Sequence, residues 1–127
     1  MISLPGRPDT ELAVVLDCSD VERLADFWAA ALGYARGPAP ETYCAVRPAD
    51  GASGIELLLQ RGPETKIVKN RLHLDLRVPD LEAEVRRLVG LGATVRTDQP
   101  LEEDGWTWHI LADPEANEFC VLQPPGS

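Results

Sequence analysis

The sequence predicts an α+β fold, two tandem βαβββ modules forming a curved mixed sheet around a cleft with helices on the outer face. Two observations carry this. The order of strand-like and helix-like segments in residues 11–60 returns in residues 71–124, and the repetition reaches individual residues. Asp20 and Asp80 open the two predicted helices, and VRPADGASGIELLLQ (46–60) lies over HILADPEANEFCVLQ (109–123) without a gap, pairing Asp50 with Asp113 and Gln60 with Gln123. One βαβββ unit leaves a face of its sheet bare, so two copies are expected to close a core together.

Taken in order, LAVVLDC (12–18) has the pattern of a short buried strand. A helix follows in SDVERLADFWAAALG, where Leu24, Phe27, Trp28, Ala31 and Leu32 recur at helical spacing. Ser19 and Glu22 have the spacing of a capping box, and Gly33 suits a left-handed helix end. TYCAVRP and GIELLLQ read as strands separated by the turn-rich ADGASG. In the second half RLHLDLRV is a strand, DLEAEVRRLVGLG a helix ending at Gly92, ATVRT a short strand, and WTWHILA and NEFCVLQ two more. Asp104-Gly105 is a hairpin-type turn signal. The domain is expected to span 11–124, with 1–10 an N-terminal extension and 125–127 a tail.

Composition narrows the function classes. Twelve Lys and Arg stand against twenty-one Asp and Glu, a net charge of −9, which disfavours a nucleic-acid partner because phosphate binding needs clustered cations. No apolar run is long enough for a bilayer and no secretory signal opens the chain, so a cytoplasmic protein without a membrane partner is expected. Cys18, Cys44 and Cys120 are an odd number without a CxxC pair, as reduced thiols are, and no disulfide is expected. GxGxxG, GxxxxGK[ST], GxSxG and HExxH are all missing, which leaves nucleotide binding and the familiar hydrolase chemistries without support.

The candidate site lies in KNRLHLDLRVPD (69–80). Alternation puts Arg71, His73, Asp75 and Arg77 on one strand face, lining the cleft, and Leu72, Leu74, Leu76 and Val78 on the other, beneath a helix. His73 is the candidate proton acceptor or donor, Asp75 the carboxylate that orients it, and Arg71 the anchor for an anionic group. Trp106 and Trp108 share a face and are candidate walls, while Glu118 and Cys120 are expected on the concave side of the last strand. His109 falls on the face opposite Trp108 and receives no role.

These residues resemble the vicinal oxygen chelate superfamily of glyoxalases and bleomycin-resistance proteins. KNRLHLDLRVPD followed by ADPEANEFCVLQ is similar to its glyoxalase-like domain branch, over residues 11–124. The resemblance implies a small-molecule pocket, often with a divalent metal held by one His, Gln or Glu from each of four strands. His73 matches the ligand position that opens the second module, and the same offset in the first gives Ala13. The usual glutamate of the final strand is Cys120, and its first-module equivalent is Leu57, or Glu56 after a slip of one residue. The expectation is a degenerate metal site without a bound cofactor, His73, Glu56 and Cys120 being the candidate donors, in a homodimer that binds a small molecule. The alternatives are a metal-dependent lyase, isomerase or dioxygenase, a drug-sequestering resistance protein that takes a cationic compound, and a noncatalytic interaction domain.

Overall fold

A computed structural model describes residues 13–38, 43–49, 52–62 and 72–126 of the chain. The chain divides into two compact units, Met1–Glu64 and Thr65–Ser127. Arg71 and Asp50, both singled out in the sequence, lie outside the described residues. Among the described residues no helix is long and apolar enough to cross a membrane.

In the first unit β1 (Ala13–Cys18), α1 (Val21–Leu32), β2 (Ala35–Arg36), β3 (Tyr43–Arg47) and β4 (Glu56–Arg61) form a sheet in the order β1-β4-β3-β2. β1 runs parallel to β4, and the other pairs are antiparallel. Val21, Leu24, Ala25, Trp28 and Ala31 fall at i, i+3, i+4, i+7 and i+10, so one stripe of α1 is apolar and packs on β3 and β4. Beneath it Cys44, Val46, Leu57 and Leu59 are buried, each large side chain contributing about 1.5–3 kcal/mol. The helix is capped by Asp20, whose carboxylate accepts from the Arg23 amide at 3.1 Å. The expected Ser19 capping box is thereby corrected by one residue: Asp20 has the extended backbone of a cap and a charged acceptor at the positive helix end. Gly33 ends α1 at φ 68°, as its lack of a Cβ allows.

The second unit runs β5 (Leu74–Arg77), α2 (Leu81–Leu91), β6 (Thr94–Val95), β7 (Leu101–Glu103), β8 (Trp106–Ala112) and β9 (Glu118–Gln123). Its sheet order is β5-β9-β8-β6, with β7 pairing the other end of β8. This unit has one strand more than the predicted module, because Asp104 (φ 53°) and Gly105 (φ 85°) make a two-residue turn that folds LEE back on WTW. Two positive φ values in succession are what a twisted hairpin demands.

α2 packs over β9, β8 and β6, burying Leu81 and Leu88 with Leu111, Phe119 and Val121. Its N-terminus is held by Asp80, which accepts from the Ala83 amide, and by Gln123 of β9, whose Oε1 accepts from the Leu81 amide at 2.8 Å. One expectation fails at β5. Leu72 is 76% exposed rather than buried beneath a helix, because β5 begins only at Leu74 and is an edge strand away from the main footprint of α2. Leu74, Leu76 and Val78 are half-buried.

A tight turn joins β8 to β9. The buried Asp113 carboxylate accepts from the Glu115 amide (2.9 Å), the Asn117 amide (3.0 Å) and the Asn117 side-chain nitrogen. The Asp and Asn of DPEAN are therefore turn residues, and they set where β9 enters the sheet.

Candidate functional site

The face of the second sheet turned away from α2 forms a cavity of about 670 Å3, within the range of small-molecule sites. Alternation along three strands builds it. β5 contributes Asp75, with His73 just before the strand, β9 contributes Glu118, Cys120 and Leu122, and β8 contributes Trp106, Trp108 and Ile110. The opposite faces of the same strands carry Phe119, Val121, His109 and Leu111 into the core.

Register then decides which side chains meet. β5 runs parallel to β9 with Asp75 opposite Cys120, and antiparallel β8 places Ile110 opposite the same cysteine. His73 Nδ1 lies 3.3 Å from Asp75 Oδ1, and donor atoms of His73, Asp75 and Cys120 lie within 4.8 Å of one another. His73 and Asp75 keep 46% and 41% of their side-chain surface exposed, so both sit in a solvated mouth rather than a core. The predicted site residues His73, Asp75, Trp106, Trp108, Glu118 and Cys120 are thus brought to one cavity. Arg77 shares their strand face, and its guanidinium lies 5.4 Å from the Trp106 ring centroid, a cation–π contact at the wall.

β7 was absent from the sequence expectation, and it adds Leu101 and Glu103 to the lining, with Asp104 at its turn. Carrying the alternation of WTW backwards across the Asp104-Gly105 turn would have found them, since Leu101 faces Trp108 and Glu103 faces Trp106. Asp75, Glu103, Asp104 and Glu118 give the cavity an acidic lining, and among the described residues no Lys or Arg lines it. His109 is buried, 2.7 Å from Thr97 Oγ1 through Nδ1, and is a core histidine.

The four-strand metal set implied by the resemblance does not fit these residues. Ala13 has no donor atom. Leu57 is 3% exposed and packs on the helix side of its sheet, so it is not the first-unit counterpart of Cys120. Val14 pairs with Leu57 as Leu74 pairs with Phe119, a displacement of 119 − 57 = 62 residues where the ungapped overlay has 120 − 57 = 63. The overlay is therefore one residue out at these strands, and Leu58 corresponds to Cys120. Glu56 stands on the open face, as a one-residue slip allowed, and is ion-paired with Arg47. Among the described residues the grouping able to hold a metal is His73, Asp75 and Cys120, with Asp75 where the sequence offered Glu56.

A second concavity of about 530 Å3 lies in the first unit beside β2 and β3. Its arginines are committed, Arg36 to Glu22 and Asp26, which hold its guanidinium further above its ordinary range, and Arg47 to Glu56.

The glyoxalase-like domain model matches residues 13–122. A search of curated proteins gave no match. Among solved structures, a glyoxalase/bleomycin resistance protein/dioxygenase family enzyme from Burkholderia phytofirmans PsJN superposes with a TM-score of 0.71 at 17% identity, covering 87% of this chain and 95% of that one. The fosfomycin resistance protein FosX from Mesorhizobium loti gives 0.68 at 15% identity, covering 94% and 93%. FosX from Listeria monocytogenes gives 0.72 at 11%, covering 93% and 95%. At these identities the likeness to solved structures is one of fold. The family match spans most of the sequence, and the chain belongs to the glyoxalase-like domain family.

Proposed function

We propose that the second unit binds a small organic molecule of neutral or cationic character, with His73 exchanging a proton or hydrogen bond with it and Asp75 orienting the imidazole. The observation that carries this is the lining of the 670 Å3 cavity: an apolar and aromatic wall of Trp106, Trp108, Ile110 and Leu122 beside a polar corner of His73, Asp75 and Glu118. Such a wall holds a planar or aliphatic body while a few polar groups fix its orientation. Charge supports this ligand class: among the described lining residues four are carboxylates and none is Lys or Arg, a balance that favours an amine over a phosphonate or carboxylate.

On this reading the chain differs in ligand from one structural neighbour, the Listeria FosX variant solved with Mn(II) and a dihydroxypropylphosphonic acid. An anionic ligand of that kind needs a counter-charge, and a drug-sequestering role toward a cationic compound fits the lining better. The experiment is a thermal-shift screen with matched aromatic amines, neutral amides and carboxylates, run on the parent and on Trp106→Ala. An amine or neutral compound should raise the parent's Tm and leave Trp106→Ala unmoved. Stabilisation by the carboxylates alone, or an equal shift in the variant, would rule the reading out.

A further inference from the structure

We propose that Cys120 is a nucleophile, activated by His73 and Asp75, that attacks an electrophilic carbon of the molecule held in the cavity. The proposal rests on the cavity being a ligand site and deepens that reading by naming the reactive class. Three observations converge. Thiol, imidazole and carboxylate atoms from two adjacent strands lie within 4.8 Å of one another, Asp75 being registered directly opposite Cys120. The imidazole and carboxylate are turned toward each other at His73 Nδ1 and Asp75 Oδ1, 3.3 Å apart. An imidazole nitrogen within 4.8 Å of the sulfur is in reach to take the thiol proton, with Asp75 beside the ring to stabilise the imidazolium that forms. Finally, Cys120 is half-buried in the cavity wall beside Ile110, whereas Cys18 and Cys44 are 3% and 0% exposed.

The step balances without a further reactant. The Cys120 proton passes to His73 and sulfur forms a bond to carbon. The bond broken is carbon–halogen in an activated halide, with halide leaving, or carbon–oxygen in an epoxide, whose alkoxide takes the proton back from His73. The carboxylates among the described lining residues favour neutral or cationic electrophiles over anionic ones.

Iodoacetamide, neutral and small, is the probe. Alkylation at Cys120 is followed by peptide mass spectrometry from pH 6.5 to 8.5 on the parent, His73→Gln and Asp75→Asn. An ordinary thiol slows about fiftyfold across that range as its thiolate share drops from about half to about one per cent. The parent should slow less than about fivefold, since a proton acceptor at hand keeps the sulfur reactive at the lower pH. His73→Gln should return to the ordinary profile, with Asp75→Asn between the two. A fiftyfold fall in the parent overturns the proposal whether or not the variants fold, as does an unchanged profile in a folded His73→Gln. Alkylation that starts only after a chelator strips a bound ion also overturns it, because the trio is then a metal site. A ligand that still stabilises the parent in any of these cases leaves the cavity reading standing.

Discussion

Replacing Asp113 by alanine tests whether the turn before β9 holds the site's register. The carboxylate accepts three donors, the Glu115 amide at 2.9 Å, the Asn117 amide at 3.0 Å and the Asn117 side-chain nitrogen at 3.0–3.1 Å. Asn117 is 8% exposed and Asp113 3%, so water does not readily replace the lost acceptor for the two Asn117 donors. Each buried donor left unpaired costs about 1–3 kcal/mol, and two of them cost about 3 kcal/mol together. For a domain of this length that is a fall in Tm of about 10 °C. Asp113→Asn keeps one acceptor oxygen at the same place and should lose roughly half as much. Differential scanning calorimetry of the three proteins at one pH and concentration measures both falls. An Asp113→Ala protein melting within a degree of the parent would refute the account, since the motif would then be dispensable to the strand that carries Glu118 and Cys120.

Three further substitutions have defined outcomes. His73→Ala should change stability by no more than about 0.5 kcal/mol, because the imidazole stands in solvent, whereas His109→Ala, which leaves Thr97 facing a hole in the core, should cost about 1–3 kcal/mol; chemical denaturation of both proteins checks the contrast. On α2, hydrogen bonds from Arg87 hold the Glu84 carboxyl below its ordinary value of 4.5. A carboxyl lowered in the folded state stabilises at pH values above the ordinary one and loses that contribution as pH falls through its folded value. Glu84→Gln should therefore be less stable than the parent by about 0.3–0.5 kcal/mol at pH 7, the size of a surface helix pair, with the difference gone by about pH 2, as paired urea titrations would show.

Much of this was legible because it is local. The spacing of Leu24, Trp28 and Ala31 specifies α1 whatever surrounds it, and alternation in LHLDLR places His73 and Asp75 on one face wherever the strand docks. The same rule put Trp106 and Trp108 together in the cavity wall. What failed depended on neighbours. Leu72 has the right parity for burial, yet the strand starts two residues later and the helix lies elsewhere. β7 is three residues long, too short for any periodicity, and exists because the Asp104-Gly105 turn folds it onto β8.

The repeat that made the fold readable is a poor guide to the site. Once the register is corrected, the first-unit counterparts of Asp75 and Cys120 are Val15 and Leu58, which pair across β1 and β4 as the other two pair across β5 and β9. Both copies fold because their inward rows, Leu57 and Leu59 in one and Phe119 and Val121 in the other, remain apolar and buried. The outward rows carry no such constraint. In the first unit that row pairs Val15, 52% exposed, with Leu58, and in the second the equivalent pair brings a carboxylate and a thiol together beside an imidazole. Asp75 could be read from the sequence only as a neighbour of His73, because its meeting with Cys120, forty-five positions away, depends on a parallel register anchored by the Asp113–Asn117 turn and by Gln123 on the end of α2. The candidate site thus lies on the faces where the two halves differ, and a search for function by internal symmetry looks for a partner to His73 at Ala13, which has no donor atom.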